Sequence, residues 1–242
     1  MAHFYLDESM TDAVPGSVIT VAGAEARHAV TVSRLAVGEA LRVGNGAGLV
    51  VDGVVSAASP AEFSLEVATI TREGRPSPSI ALAQALAKGD RDELAVQAAT
   101  ELGVDAIVPW QAQRSISRWD AAKTRKGVER WSAIVREATK QSVRPWLPDV
   151  TQPVTSKQLA DLATQFRILV LEPTAAVALT SLVVDDRDLL LVVGPEGGVA
   201  PSELELFAAS GAEQVRLGDT VLRTSTAGPA AIAALNVLLG RW

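Results

Sequence analysis

The chain has 242 residues, 48% of them hydrophobic, and a net charge of −6 at pH 7, enough for one large domain or two small ones with a sizeable core. It has no cysteine and only two histidines, His3 and His28, which excludes disulfides, thiolate catalysis and Cys-ligated zinc and leaves a multi-His metal site without ligands. No apolar run reaches membrane-spanning length and the first residues lack the basic-then-apolar pattern of a secretory leader, so a cytoplasmic location is expected.

Residues 1–72 read as β-rich. Gly38–Val43 and Leu49–Val55 flank a glycine turn, Gly44-Asn45-Gly46-Ala47-Gly48, and Asn-Gly is a hairpin signal. Phe63–Ile70 alternates apolar and polar residues, the period of a half-buried strand. Glu25–Leu35 is the one helical stretch, with Ala26, Ala29, Val30 and Ser33 on one side. Several short strands in so few residues suggest a small barrel. The Gly-x-Gly-x-Gly turn resembles a dinucleotide-binding loop, but that loop must open a helix, and here another strand follows.

Residues 73–79 form a linker rich in Gly and Pro. Beyond it the pattern becomes strand–helix. Ile80–Leu86 reads as a strand, Arg91–Leu102 as a helix closed by Gly103, and Val104–Pro109 as a strand. Asp120–Gln141 reads as a long helix with Val128, Trp131, Ile134, Val135 and Ala138 at core spacing. Phe166–Pro173 and Leu189–Val193 are apolar runs suited to strands buried on both faces. Pro201 suits the first turn of a helix that Ser202 and Glu205 would cap. Val215–Gly218 reads as a short strand, Asp219–Thr226 as a polar loop and Ala227–Leu239 as an apolar helix. Three loops therefore follow three strands, at Glu172–Thr174, Gly194–Val199 and Gly218–Thr226. The carboxyl edge of a sheet is where open α/β folds bind small ligands.

Charge is unevenly spread. Between Arg114 and Arg144 the only acids are Asp120, Glu129 and Glu137, whereas Arg114, Arg118, Arg136 and Lys140 are among many bases. Such a segment on an acidic body suits either a phosphate-binding footprint or a solvated helix face.

The ordered series Leu191–Gly198, Val215–Gly218 and Val221–Ala227 resembles the signature of SPOUT-class RNA methyltransferases. Within that class the chain resembles the RsmE family, the 16S rRNA (uracil-N3) methyltransferases. His28 and Arg34, Lys88-Gly89-Asp90, Glu101–Val104, and Gln141-Ser142 with Arg144 extend the match along nearly the whole chain. The resemblance implies an N-terminal PUA-like β-barrel (1–72) and a C-terminal SPOUT α/β domain (80–242) with a deep trefoil knot from about residue 168. It implies a homodimer acting on 16S rRNA, within the small ribosomal subunit.

It also implies that S-adenosylmethionine sits against Leu171 and Glu172, against Gly194, Pro195, Glu196, Gly197 and Gly198, and against Leu217, Gly218, Leu222 and Thr224. RNA would meet His28, Arg34, Lys88, Arg114, Arg118, Arg136, Lys140 and Gln141. Two positions depart from the family pattern: Ser225 stands where many relatives have Glu, and so does Lys140. Deprotonating N3 of uridine puts negative charge on O2 and O4, which a cation would stabilise. Arg223 in the third loop is the first candidate and Arg144 the second. Alternatives are a ribose 2′-O-methyltransferase, whose Asn-x-Gly motif is missing here, and a non-catalytic RNA-binding assembly factor, against which the intact Gly-Pro-Glu-Gly-Gly and Leu-Arg-Thr stretches argue.

Overall fold

A computed structural model describes residues 4–242; His3 lies outside the described residues. Two compact units emerge, Met1–Arg75 with Thr139–Leu147, and Pro76–Ala138 with Pro148–Trp242. A boundary near residues 73–79 thus leaves out the return of 139–147 to the first unit.

The first unit holds β1 (Phe4–Leu6), β2 (Val18–Ala22), α1 (Gly23–Arg27), β3 (Ala40–Gly44), β4 (Leu49–Ala58) and β5 (Glu62–Arg72). They make one five-stranded sheet in the order β1-β3-β4-β5-β2. Only the β1–β3 pair is parallel. The β4–β5 ladder slips register at Asp52/Gly53 and again at Val55/Ala57, and such bulges bend a sheet. The sheet is a half-barrel with two edges, β1 and β2, around a core that includes Tyr5, Val21, Leu41, Val51, Phe63 and Leu65. The β3–β4 connection is a hairpin, as its sequence predicts, and no helix follows its glycines. It is longer than an Asn-Gly two-residue turn, because Asn45 Oδ1 accepts the N–H groups of Ala47 and Leu49 while Gly46 and Gly48 take positive φ. The expected helix over 25–35 is shorter. α1 widens into a π-type turn at His28–Val32, where Ser33 N–H reaches back to His28 O, and it ends at Arg34 with φ 57°.

The second unit is a seven-stranded, wholly parallel sheet. In chain order its elements are β6 (Ile80–Ala85), α2 (Arg91–Glu101), β7 (Ala106–Trp110), α3 (Ala121–Gln141), β8 (Asp149–Val150), α4 (Ser156–Asp161), β9 (Arg167–Leu171), β10 (Val177–Ala178), β11 (Leu189–Val193), α5 (Pro201–Ala209), β12 (Glu213–Arg216) and α6 (Thr224–Leu238). The strand order is β10-β12-β9-β11-β6-β7-β8. Every residue of β6 and β11 is buried, as expected of parallel strands covered on both faces. One face packs Ala81, Ala83, Ile168, Val170, Leu190 and Val192 with Trp110, Leu159 and Phe207. Trp131 is a core residue, 2% exposed, with Trp119 edge-on to it at 5.2 Å.

Two helix starts differ from expectation. α5 begins at Pro201, but its amino end is closed by Glu203, whose Oε2 accepts Ala200 N–H at 3.0 Å. Ser202 already lies inside the helix, so Ser202 and Glu205 form no capping box. α6 begins at Thr224 rather than Ala227, because Thr226 and Ala227 already donate their N–H groups to Arg223 O. The last strand is Glu213–Arg216, which leaves Leu217 and Gly218 to the loop. β12 lies beyond β9, yet α6 packs against β11, β6 and α2. Residues 217–223 therefore cross back over the carboxyl ends of β9 and β11.

Candidate functional site

That crossing creates a cleft of about 470 Å³, lined by all three loops of the carboxyl edge, within the usual size of a small-molecule site. Leu171, Glu172 and Pro173 come from the end of β9, Val193–Glu196 and Gly198–Val199 from the end of β11. Val215–Gly218, Thr220–Thr224 and Ala227 come from the crossing segment and the start of α6. Of the cofactor residues expected from sequence, Leu171, Glu172, Gly194, Pro195, Glu196, Gly198, Leu217, Gly218, Leu222 and Thr224 all line this cleft, and so does Arg223. Gly197 does not; its carbonyl points instead to Arg114, whose Nη1 donates at 2.9 Å.

Each loop is anchored by its own bonds. Glu172 N–H donates to Val215 O at 2.9 Å, tying β9 to β12. Its side-chain Oε1 accepts from Thr174 N–H and Thr174 Oγ1 at 3.2 and 2.9 Å. Gly198 N–H closes a turn onto Pro195 O at 2.8 Å, and buried Val199 fixes the end of that loop in the core. Arg216 Nη1 holds the carbonyls of Ala175 and Ala176. Thr224 is spent differently from a ligand group: its Oγ1 donates to Gly194 O at 2.8 Å and accepts from buried Gln84 at 2.9 Å.

Glu196 marks one wall. Its Oε1 accepts Lys88 N–H at 3.0 Å and pairs with Arg91 Nη1 at 3.1 Å. Burial alone would raise its carboxyl pKa, but hydrogen bonds from the 196 and 88 backbone and the Arg91 guanidinium more than offset that, and it lies below the usual range. A carboxylate so stabilised is a weak base. The amino end it meets belongs to α2, not to the following α5. Sequence patterning gave no sign of Arg91, nor of Glu203. The latter is buried and also accepts Gln113 N–H at 2.8 Å and the Ser156 hydroxyl at 2.6 Å, joining α5 to the segment before α3 and to the first residue of α4.

The chemistry available is that of a binding cleft lined by three cations, Arg91, Arg216 and Arg223, of which Arg91 pairs with Glu196 and Arg216 holds two loop carbonyls. Apolar Val193, Leu217 and Leu222 offer walls for a flat ring, and loop backbone offers amides and carbonyls. Arg223 is exposed and sits at the position preceding α6. Arg144 lies in the 139–147 segment of the first unit, whereas the whole cleft lies in the second.

The expected RNA residues divide. His28 and Arg34 are exposed in the first unit, and Gln141 is exposed at the end of α3. Lys88 lines a second, more open cleft of about 400 Å³ with Asp90, Asp92, Trp119, Arg130 and Trp131. Arg114 and Arg118 are exposed, each with a carbonyl partner, on Gly197 and Gln113. Arg136 is half-buried on α3. Lys140 is largely covered and ion-paired with Glu25 at 3.4 Å, so its charge is engaged inside the first unit.

Comparison with known proteins agrees with this geometry. Residues 75–236 match the RNA methyltransferase domain, and residues 21–68 match the RNA methyltransferase PUA domain. A ribosomal RNA small subunit methyltransferase E from Mycobacterium bovis is 40% identical, with 99% of this chain and 92% of the relative covered. Its counterpart from Bacillus subtilis is 30% identical over 98% of this chain and 96% of its own. The crystal structure of a ribosomal RNA small subunit methyltransferase E from Neisseria gonorrhoeae, bound to S-adenosyl methionine, superposes with a TM-score of 0.88 at 27% identity, covering 98% of both chains.

Proposed function

The chain belongs to the ribosomal RNA small subunit methyltransferase E family, and from that premise we propose that it transfers a methyl group from S-adenosylmethionine to N3 of a uridine in small-subunit rRNA. The observation that carries this reading is the cleft where the loops after β9, β11 and β12 converge. Its donor set suits the cofactor: backbone amides and carbonyls for a nucleoside, apolar walls for the adenine, and Glu172 for a hydroxyl or ammonium group. When bound, the cofactor supplies a methyl group on a sulfonium, already a strong electrophile. The protein's part is then alignment, an effect with a ceiling of roughly 7–11 kcal/mol, together with electrostatic support.

Arg223 provides that support. An exposed guanidinium on the rim of the cleft stabilises the negative charge that spreads to O2 and O4 as N3 loses its proton. Arg144 is the second candidate, reaching the site from a partner subunit. Glu196 is committed to Arg91 and Lys88 and holds no proton-accepting role. The target uridine is taken out of its stack to reach the cleft. His28 and Arg34 on the PUA-like unit, with Arg114 and Arg118, meet the RNA backbone.

The same reading takes residues 217–223 as the threaded segment of a trefoil knot and a homodimer as the working assembly, in the cytoplasm. Among the described residues no helix is long and apolar enough to cross a membrane.

The test is methyl transfer from labelled S-adenosylmethionine to unmodified small ribosomal subunits, followed by nucleoside analysis. The expected product is 3-methyluridine. Methylation of a ribose hydroxyl would move the enzyme to another RNA methyltransferase activity. Cofactor binding without transfer to free rRNA or to assembled subunits would refute the substrate assignment.

A further inference from the structure

We propose that Gln84, a residue outside the cleft, is a positioning residue for the cofactor. Through Thr224 it sets the Gly194 carbonyl and the amino end of α6. This inference rests on the reading that the cleft takes S-adenosylmethionine.

Gln84, next to last in β6, is in register with Val193 of β11, and its side chain is fully buried. Its Nε2 donates to Thr224 Oγ1 at 2.9 Å and to Ala85 O at 3.1 Å. Thr224 Oγ1 in turn contacts Gly194 O at 2.8 Å. Chemistry fixes the direction of the whole relay. A carbonyl only accepts, so the Thr224 proton must go to Gly194 O, and the same hydroxyl must accept from Gln84. Both amide protons of Gln84 are then committed, and the amide cannot flip without setting oxygen against oxygen.

The relay joins three elements that are remote in sequence: the end of β6, the loop after β11 and the start of α6. Two of its members, Gly194 and Thr224, line the cleft. Arg223 immediately precedes Thr224 with extended backbone, φ −67° and ψ 153°, so anchoring Thr224 fixes where Arg223 leaves the helix. The returning segment 217–223 is thereby registered against the Gly194 loop.

Packing alone gives no reason for a glutamine here. Gln84 Oε1 has no hydrogen-bond partner among the described residues, although it is buried. An unpartnered buried acceptor is destabilising, and an apolar side chain of like shape would avoid it. That orphaned acceptor offsets what the two amide bonds contribute, so the side chain is explained less by stability than by where it holds Thr224.

The experiment uses the full chain and four variants: Gln84→Leu, Thr224→Val, the double variant and Thr224→Ser. S-adenosylmethionine is titrated calorimetrically and thermal unfolding is recorded in parallel. Gln84→Leu and Thr224→Val should each weaken cofactor binding about fivefold, the worth of one net hydrogen bond. The double variant should be no weaker than the worse single, since both break one relay. Thr224→Ser, which keeps the hydroxyl, should bind within about twofold of wild type. Gln84→Leu should unfold at the same temperature as wild type or above it. Unchanged affinity in Gln84→Leu, additive losses, or losses that follow a fall in unfolding temperature would each overturn the positioning role. Failure of the wild-type protein to bind S-adenosylmethionine would instead overturn the reading of the cleft, and the relay's role with it.

Discussion

Replacing Gly194 by alanine tests whether the loop after β11 is as tightly set as the structure shows. A Cβ at this position would lie 2.9 Å from Val199 Cγ2, 3.1 Å from Val199 N and 3.3 Å from Gly198 C. Carbon atoms in good contact sit at about 3.5–4.0 Å, so the new methyl overlaps by more than half an ångström. Rotating Val199 relieves the first contact but not the second, which is backbone. Val199 itself is held in the core with Phe207 and Val192. Overpacking of this kind costs about 1–3 kcal/mol, and that cost must appear in one of two places. If the loop holds, the unfolding temperature falls, by about 2–4 °C per kcal/mol for a chain of this size. If the loop moves, the Gly194 carbonyl shifts in the cleft and cofactor affinity falls, by about 5- to 150-fold for the same range. Calorimetric titration with S-adenosylmethionine and thermal unfolding, run on one preparation, read both terms. Gly218→Ala is the control for stability, because nothing lies within 4 Å of a Cβ there, and its unfolding temperature should match wild type. Gly194→Ala with both affinity and unfolding temperature unchanged would refute the reasoning.

Three further outcomes are expected. Arg223→Ala should lower turnover by about 10²–10³-fold, as removal of one charge-stabilising donor does, with cofactor affinity nearly intact; equal loss of both would assign Arg223 to binding instead. Arg34→Ala and Arg118→Ala should each weaken rRNA binding and flatten its salt dependence, the slope of log affinity against log salt falling by about one unit; an unchanged slope would place the RNA footprint elsewhere. Buried Arg167 of β9 grips Glu213 of β12 at 2.6 and 3.0 Å, and that hydrogen bond first, with the guanidinium charge, holds the Glu213 carboxyl below its usual pKa. The native state therefore binds the Glu213 proton less readily than the unfolded chain, and the pair's stabilisation is full above the ordinary carboxylate range and is lost as pH falls below that range through the lowered folded value. Glu213→Gln should cost about 1 kcal/mol at pH 7, discounted for partial exposure of Glu213, with the gap from wild type closing below about pH 4 in urea unfolding. A gap independent of pH would show that the carboxylate charge contributes nothing.

What the sequence made legible follows from how local each signal is. β11 is visible as five apolar residues stopped by Gly-Pro, because a strand buried on both faces needs apolar side chains at every position. The hairpin at Asn45 and the core role of Trp131 are equally local, one a matter of turn chemistry and the other of helical spacing. The three loops of the cleft were legible for the same reason, since each closes a strand that patterning detects. What bonds those loops together was not. Glu203 was obscured by a plausible Ser202–Glu205 pattern, because the real cap serves Ala200 and also draws on Gln113 and Ser156. The start of α6 was misplaced because Thr224, Ser225 and Thr226 look like loop residues, yet Arg223 O and Gly194 O supply the bonds that hold them helical and in place. Lys140 counted as one base among many, and only the fold brings Glu25 to it. In each case the deciding partner lies beyond any periodicity, or is a backbone atom that carries no sequence signal at all. Composition can therefore locate a binding edge on a parallel sheet, but the residues that set its geometry, Gln84 above all, emerge only when strands distant in sequence are laid side by side.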